Sequence, residues 1–313
     1  MTSSQPQILI IQPLMPQLDE KLSQQFHCHR LYEQQDPALF LQQQGKDIQA
    51  IVTRGDVGVE TAILEQLPVC KAIAVFGVGT DRIDLHYAAA HGIQVSITSD
   101  ILTDDVADLA MTLTLAFSRN LVANHQFARS GAWETTGASL SSKASGKRIG
   151  IAGLGAIGLA IARRAEAFGM QVAYTARSAK DVAYQRCDNI EQLAAFSDFL
   201  VLALPGSPEN IQLVDAKVLK ALGKEGVLIN IARGTVVNES DLIQALQQGT
   251  IKGAALDVFP QEPLIHPALR ELDNVLLTPH IGSATHETRE GMANNVLDNL
   301  RAFFLNGKML TTV

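Results

Sequence analysis

Short apolar runs alternate with amphipathic stretches along most of this chain. Residues 8–11, 50–52, 72–75 and 94–97 have the length and β-branched content of buried strands, and the segments between them place apolar residues at helical spacing. A second series follows at 148–152, 171–175, 199–203, 227–230, 254–258 and 275–277, again with helical patterns between. Runs that are apolar throughout, not alternating, suit strands buried on both faces, as in a parallel sheet covered by helices. The pattern therefore predicts an α/β protein with two Rossmann-like domains, each a doubly wound parallel sheet.

Between the two series a helical pattern runs from Thr103 to about Arg129. Thr103 is its expected N-cap, and Asp104, Asp105 and Asp108 favour its positive end. It is expected to cross between domains. The last pattern, 284–305, spaces Met292, Val296, Leu300, Phe303 and Phe304 along one face and is expected to return to the first domain. That domain is then discontinuous, with residues 1–99 plus 285–313 as one domain and 100–284 as the other. The Gln34-Gln35 and Gln42 to Gln44 patches read as solvated helix faces.

The sharpest chemical signal is Gly153-Leu154-Gly155-Ala156-Ile157-Gly158, which places G-x-G-x-x-G directly after a strand pattern and directly before a helical one. Gly153 permits a tight turn, Gly155 lets backbone approach a pyrophosphate, and Gly158 lets helix and strand pack closely. The bland alternative is a glycine-rich turn without a ligand, and the flanking strand and helix argue against it. The next strand end selects the dinucleotide, because an acid there accepts from a ribose 2′-hydroxyl and a cation receives a 2′-phosphate. Arg177 stands there, 19 residues past Gly158, followed by Ser178 and Lys180. The expectation is NADP(H) in preference to NAD(H), which stays possible; the competing view makes Arg177 a solvated loop cation.

Arg233, Glu262 and His280 each follow a strand pattern of the second series, where ligands bind in open α/β sheets. Reduction of a 2-oxo acid needs a fixed cation for the carboxylate and a proton donor beside the carbonyl oxygen. Arg233 suits the first role and His280 the second, with Glu262 orienting the imidazole and favouring its protonated form. Each residue alone fits ordinary loop chemistry; the three together on one fold point to catalysis.

Composition narrows the alternatives. The 313 residues, 47% hydrophobic, can support two cores, and a net charge of -7 opposes partnership with nucleic acid or anionic lipid. The amino terminus has no basic region ahead of its short apolar run, so the chain is expected in the cytoplasm, with no membrane segment. Cys28, Cys70 and Cys187 are odd in number and widely separated, which fits a reducing compartment. His27, Cys28 and His29 leave too few ligands on one side of a strand for a metal, and none is expected. His286 reads as a surface or cap residue.

Six motifs in order resemble the D-isomer-specific 2-hydroxyacid dehydrogenases, most closely their glyoxylate/hydroxypyruvate reductase branch. They are Phe76-Gly77-Val78-Gly79-Thr80-Asp81-Arg82-Ile83-Asp84, Leu102-Thr103-Asp104-Asp105-Val106-Ala107-Asp108, the glycine segment 153–158, Asn230-Ile231-Ala232-Arg233-Gly234, Ala255-Leu256-Asp257-Val258-Phe259, and Thr278-Pro279-His280-Ile281-Gly282-Ser283-Ala284-Thr285. The resemblance implies that Arg233 anchors the carboxylate, Glu262 is the partner acid and His280 the general acid/base. It adds Leu204, Pro205, Ile231, Ala232, Arg233, Asp257, His280 and Ser283 to the cofactor contacts, with Asp257 at the nicotinamide carboxamide. It also implies that backbone N–H groups of Val78 and Gly79 help hold the substrate carboxylate, and that the domains close over it; without the resemblance this loop reads as an ordinary turn. Two positions depart from the pattern. Ala156 stands where many relatives carry Arg or Lys, and Asn210 where Thr is usual.

The expected function is NADPH-dependent reduction of a small 2-oxo acid to the D-2-hydroxy acid by a homodimer. Trp133 either reaches toward a partner subunit or is a buried core or interface residue. A rival of another class is a dinucleotide-sensing corepressor-like protein, which this compact chain, lacking the long tails of such relatives, favours less. Phosphoglycerate dehydrogenase is disfavoured because no regulatory domain follows Val313.

Overall fold

Ile8, Leu9, Ile10, Ile51, Val52, Ile73 and Ala74 are all fully buried, as strands covered on both faces must be. They belong to β1 (Gln7–Ile10), β3 (Ala50–Arg54) and β4 (Ala72–Phe76). With β2 (His27–Arg30) and β5 (Gln94–Ser96) these form a parallel sheet in the order β2-β1-β3-β4-β5. The computed structural model describes residues 5–313; Met1–Ser4, at the start of the segment read for a targeting signal, lie outside the described residues.

The second sheet contains β6 (Arg148–Ala152), β7 (Gln171–Thr175), β8 (Gln185–Arg186), β9 (Phe199–Leu202), β10 (Val227–Asn230), β11 (Gly253–Leu256) and β12 (Val275–Leu277). Its order is β12-β11-β10-β9-β6-β7-β8, parallel throughout. Strand order reverses between β6 and β9, the crevice where doubly wound sheets take ligands. Two strands lie outside the expected apolar runs, although His27–His29 had been read on a strand. β2 and β8 are edge strands reading HCHR and QR, so neither carries an apolar run to announce it.

The chain divides into two compact units, one comprising Met1–Leu102 with Thr285–Val313 and the other Thr103–Ala284. In the smaller, Leu9, Ile51, Ile73, Val75 and Val95 pack in one core; in the larger, Leu200, Leu202, Leu228, Ala254 and Leu256 do so. The helix His286–Asn306 belongs to the smaller unit, and the Thr285 hydroxyl accepts from Thr288 N at 3.2 Å to cap it. His286 is exposed in its first turn.

The single helix expected over 103–129 is instead two, Thr103–Ser118 and Leu121–Arg129, bent by 59°. Asn120 between them has φ 48°, a left-handed conformation that ends a right-handed helix and that Asn tolerates better than most residues. Both helices lie in the larger unit, so neither is the crossing element; the chain passes between units at Leu102–Thr103. Thr103 is the first helical residue and not the cap. Asp104 and Asp108 take Arg164 of the helix Ala156–Ala167, at 2.9 and 2.6 Å, which ties the two packed helices together. Among the described residues no single helix is long and apolar enough to cross a membrane.

Candidate active site

At the end of β6, Gly153 has φ 93°, and a Cβ there would lie 2.4 Å from the Ala203 carbonyl oxygen. Only glycine makes that turn beside β9. A Cβ on Gly158 would fall 2.0 Å from Gly153 O, so helix and turn touch directly. Gly155 differs from both, for nothing lies within 4 Å of its Cβ position, and it and Ala156 are exposed. The helix Ala156–Ala167 begins there with no side-chain cap. Its leading N–H groups and positive end thus face open space, as a pyrophosphate cradle requires. Leu154 is buried behind the turn, and Ile157 is half-buried.

Arg233, Glu262 and His280 stand past the carboxyl ends of β10, β11 and β12, three successive neighbours in the sheet. Strand register aligns Asn230 with Leu256 and Leu256 with Leu277, which brings the three loops to one edge. His280 Nδ1 lies 2.6 Å from Glu262 Oε2, and Glu262 Oε1 accepts from Phe259 N at 2.9 Å. With both carboxylate oxygens engaged, Glu262 is fixed and aims the imidazole. His280 has φ 53°, and its N–H donates to Asp257 O (2.9 Å) and Thr278 O (3.1 Å). Those bonds hold a backbone conformation uncommon for a side chain with a Cβ.

The Arg233 loop is braced in the same way. Asn230, 1% exposed, accepts from Ala232 N at 3.0 Å and donates to Arg233 O at 2.9 Å. One Arg233 guanidinium nitrogen donates to Ala232 O at 2.7 Å. A Cβ on Gly234 would meet the Phe259 carbonyl carbon at 2.0 Å, so the arginine loop lies directly against the loop leading to Glu262.

Asp257 is 1% exposed, and its carboxylate accepts from Thr278 Oγ1 (2.7 Å), Ile281 N (2.9 Å) and Gly282 N (2.9 Å). Burial pushes this carboxyl above the ordinary aspartate range, against the lowering influence of those bonds and of His280. Sequence reasoning gave Asp257 a cofactor contact and missed its bracing of the His280 loop. Asn230 was also missed, although its place at the end of an apolar strand, as a buried amide before Arg233, is a usable signal.

The remaining predicted residues divide by exposure. Ile231 and Ala232 are buried, Leu204 and Ser283 half-buried, and Pro205 exposed. Arg177 and Ser178 are exposed past β7, and Arg177 lies 4.0 Å from Glu209, an acid of the loop after β9 that the sequence reading had not paired with it. Asn210 donates to Pro205 O (2.9 Å) and Ser207 Oγ (3.1 Å), so it shapes its own loop. Trp133 is 71% exposed, which removes the buried-core option for it. Val78 and Gly79 belong to the smaller unit, in the loop after β4. The three cysteines are free.

Residues 111–282 match the family model described as D-isomer specific 2-hydroxyacid dehydrogenase, NAD binding domain. The whole chain is 45% identical to 2-ketogluconate reductase of Gluconobacter oxydans over 99% of both chains. The chain belongs to the D-isomer-specific 2-hydroxyacid dehydrogenase family. It is also 43% identical to glyoxylate/hydroxypyruvate reductase A of Arabidopsis thaliana, over 98% of each chain. Among solved structures, the NADPH-dependent glyoxylate/hydroxypyruvate reductase of Sinorhizobium meliloti, in complex with NADP and malonate, superposes with a TM-score of 0.93 at 40% identity, covering 99% of this chain and 97% of that one.

As a family member this chain is an oxidoreductase acting on CH–OH donors with a nicotinamide dinucleotide. The cradle at Gly155 fits that cofactor, since its pyrophosphate would fill space where no protein atom approaches and meet uncapped helix N–H groups.

Proposed function

We propose that this dehydrogenase reduces small 2-oxo acids of the glyoxylate/hydroxypyruvate class to D-2-hydroxy acids, with NADPH preferred over NADH. Reduction of 2-oxo acids is the activity named for the relatives above, and the 2.6 Å His280–Glu262 pair beside the Arg233 loop carries the reading here. The bound reduced nicotinamide supplies the hydride. Arg233 pairs with the substrate carboxylate and polarises the carbonyl. His280, its Nδ1 committed to Glu262, delivers a proton from Nε2 to the carbonyl oxygen. Val78 and Gly79 add backbone donors for the carboxylate.

In this reading residues 1–99 plus 285–313 serve the substrate and 100–284 the cofactor. The cofactor contacts are 153–158, Arg177, Ser178, Leu204, Pro205, Ile231, Ala232, Arg233, Asp257, His280 and Ser283. The NADPH preference rests on Arg177, exposed at the end of β7 with no acid on that strand end. The enzyme works in the cytoplasm as a homodimer. Exposed Leu121, Val122, Trp133 and Leu140, grouped along 121–140, support the dimer, because apolar surface so grouped suits an interface.

Loss of absorbance at the reduced-nicotinamide band tests the proposal, with NADPH and NADH each paired with glyoxylate, hydroxypyruvate and pyruvate. Turnover with NADPH ahead of NADH is expected. Bound cofactor without turnover of any 2-oxo acid would refute it.

A further inference from the structure

Thr278 is the first residue past β12, and the reaction above gives it no part. Its N–H donates to Leu256 O at 2.9 Å, which carries the β11–β12 ladder one step beyond the Leu256–Leu277 pair and sets Thr278 beside Asp257. Its hydroxyl donates to Asp257 Oδ1 at 2.7 Å. The same carboxylate accepts from Ile281 N at Oδ1 and from Gly282 N at Oδ2, both at 2.9 Å. Residues on both sides of His280 therefore close on one buried acid, and all of them lie in the larger unit. The main chain adds to this hold, since His280 N donates to Asp257 O and Thr278 O. Little room is left, for a Cβ on Gly282 would stand 3.3 Å from Asp257 Oδ2.

The charge of Asp257 decides whether this arrangement persists. An ionised carboxylate only accepts, which suits three converging donors, whereas a protonated carboxyl has an O–H of its own and less capacity to accept. Burial disfavours the ionised form and raises this carboxyl above the ordinary aspartate range. The Thr278 hydroxyl is foremost among the groups that oppose the rise, ahead of Ile281 N, the charge of His280 and Gly282 N. The charged groups carried by the elements against Asp257 are His280, Glu262 paired with it, Arg233 of the loop after β10, and Asp104, Asp105 and Asp108 of the helix Thr103–Ser118. Two of those helix acids, Asp104 and Asp108, hold Arg164.

We propose that Thr278 is a positioning residue for the proton transfer, whose hydroxyl, through Asp257, fixes the loop that aims the His280 imidazole. This rests on the proposed function, in which His280 gives the proton. Without the hydroxyl the buried carboxyl takes up a proton at higher pH, and the amides of Ile281 and Gly282 lose their acceptor. His280, held at a φ of 53° that is uncommon for a residue with a Cβ, then loses its aim.

The single-turnover rate of NADPH oxidation with glyoxylate, followed across the acid and neutral range, reads this role apart from cofactor release. Asp257 serves the loop when ionised, so activity falls as pH falls through its pKa, and loss of the Thr278 donor moves that fall upward. In Thr278→Val, which keeps the branched shape without the hydroxyl, the acid limb should lie about one pH unit or more above its native place, the size set by a lost hydrogen bond to a charged group. Above the limb the rate should approach the native value, and Thr278→Ser, which keeps the hydroxyl, should return the limb to its native place. A native acid limb in Thr278→Val would overturn the proposal, even with the rate lowered throughout, since a uniform loss is what a packing defect gives. A limb displaced equally in Thr278→Ser would overturn it too, because the hydroxyl would not be the cause. Should Thr278→Val fail to fold, Thr278→Ala is read in the same way. A native enzyme that reduces no 2-oxo acid would instead overturn the 2-oxo acid reading, and the positioning role with it.

Discussion

Asp257 and Gln12 each stand just past the carboxyl end of an interior parallel strand, yet their side chains are treated in opposite ways. Asp257 accepts three hydrogen bonds, and around it Asn230, Glu262 and Thr278 are likewise engaged with neighbouring loops. The Gln12 side chain accepts and donates none, and the Thr98 hydroxyl at the same edge also lacks a hydrogen-bond partner among the described residues. In the proposed reaction the larger sheet's edge has the task that needs rigidity. Proton transfer requires His280 at a fixed distance from a fixed oxygen, and that geometry is made rigid by polar groups that satisfy one another. The smaller sheet's edge instead keeps the polar groups of Gln12 and Thr98 desolvated without a hydrogen-bond partner.

The largest effect should come from the rigid edge. His280→Ala removes the proton donor and should lower kcat by about a hundredfold to ten-thousandfold, while cofactor binding, followed by nicotinamide fluorescence, persists. A kcat near the native value would remove His280 from that role. Asn230→Ala addresses the bracing itself. It strips partners from Ala232 N and Arg233 O, each loss costing about 1–3 kcal/mol when buried, and should lower the unfolding midpoint. It should also raise KM for the 2-oxo acid by about tenfold, because a charged hydrogen bond set slightly out of place loses about that much. A lower midpoint with native KM would show that the brace does not extend to the guanidinium.

The contrast between edges also explains what could be read in the sequence. The strands with apolar runs, the glycine turn and the order Arg233, Glu262, His280 were legible, because burial on both faces and close approach of backbone each demand particular residue types. β8 was not, and β2 was met only as the strand of His27–His29 without a place in the sheet, since an edge strand of polar residues has no hydrophobic pattern to display. The break at Asn120 was hidden for a related reason. Leu121 and Val122 continue the apolar count past the bend although both are exposed, and a residue's φ is not written in hydropathy. The packing of Arg289 over Phe76 was hidden as well, because the two are more than two hundred residues apart in sequence.

Arg177 tests a third kind of polar group, neither braced nor buried. It is exposed, and Glu209 at 4.0 Å competes with any incoming phosphate. Arg177→Ala should therefore reduce the preference for NADPH over NADH by about tenfold, the lower end for a hydrogen bond to a charged group. An equal loss of affinity for both cofactors would place Arg177 at a part of the dinucleotide that the two share.

The smallest effect separates the two edges most directly. Replacing a buried polar group costs stability only to the extent that it was bonded; where both of its atoms lack partners, an apolar residue of similar volume removes a desolvation penalty and leaves nothing behind unsatisfied. Gln12→Met should accordingly change unfolding free energy by less than about 1 kcal/mol, or raise it, in a urea titration of the free enzyme. Asn230→Ala, measured in the same way, should lose more, since it leaves a buried Ala232 N and a part-buried Arg233 O without their partner. If Gln12→Met costs as much as Asn230→Ala, the Gln12 amide is bonded in solution. The smaller sheet's edge would then be braced like the larger one, with the Thr98 hydroxyl left as its unpartnered group among the described residues.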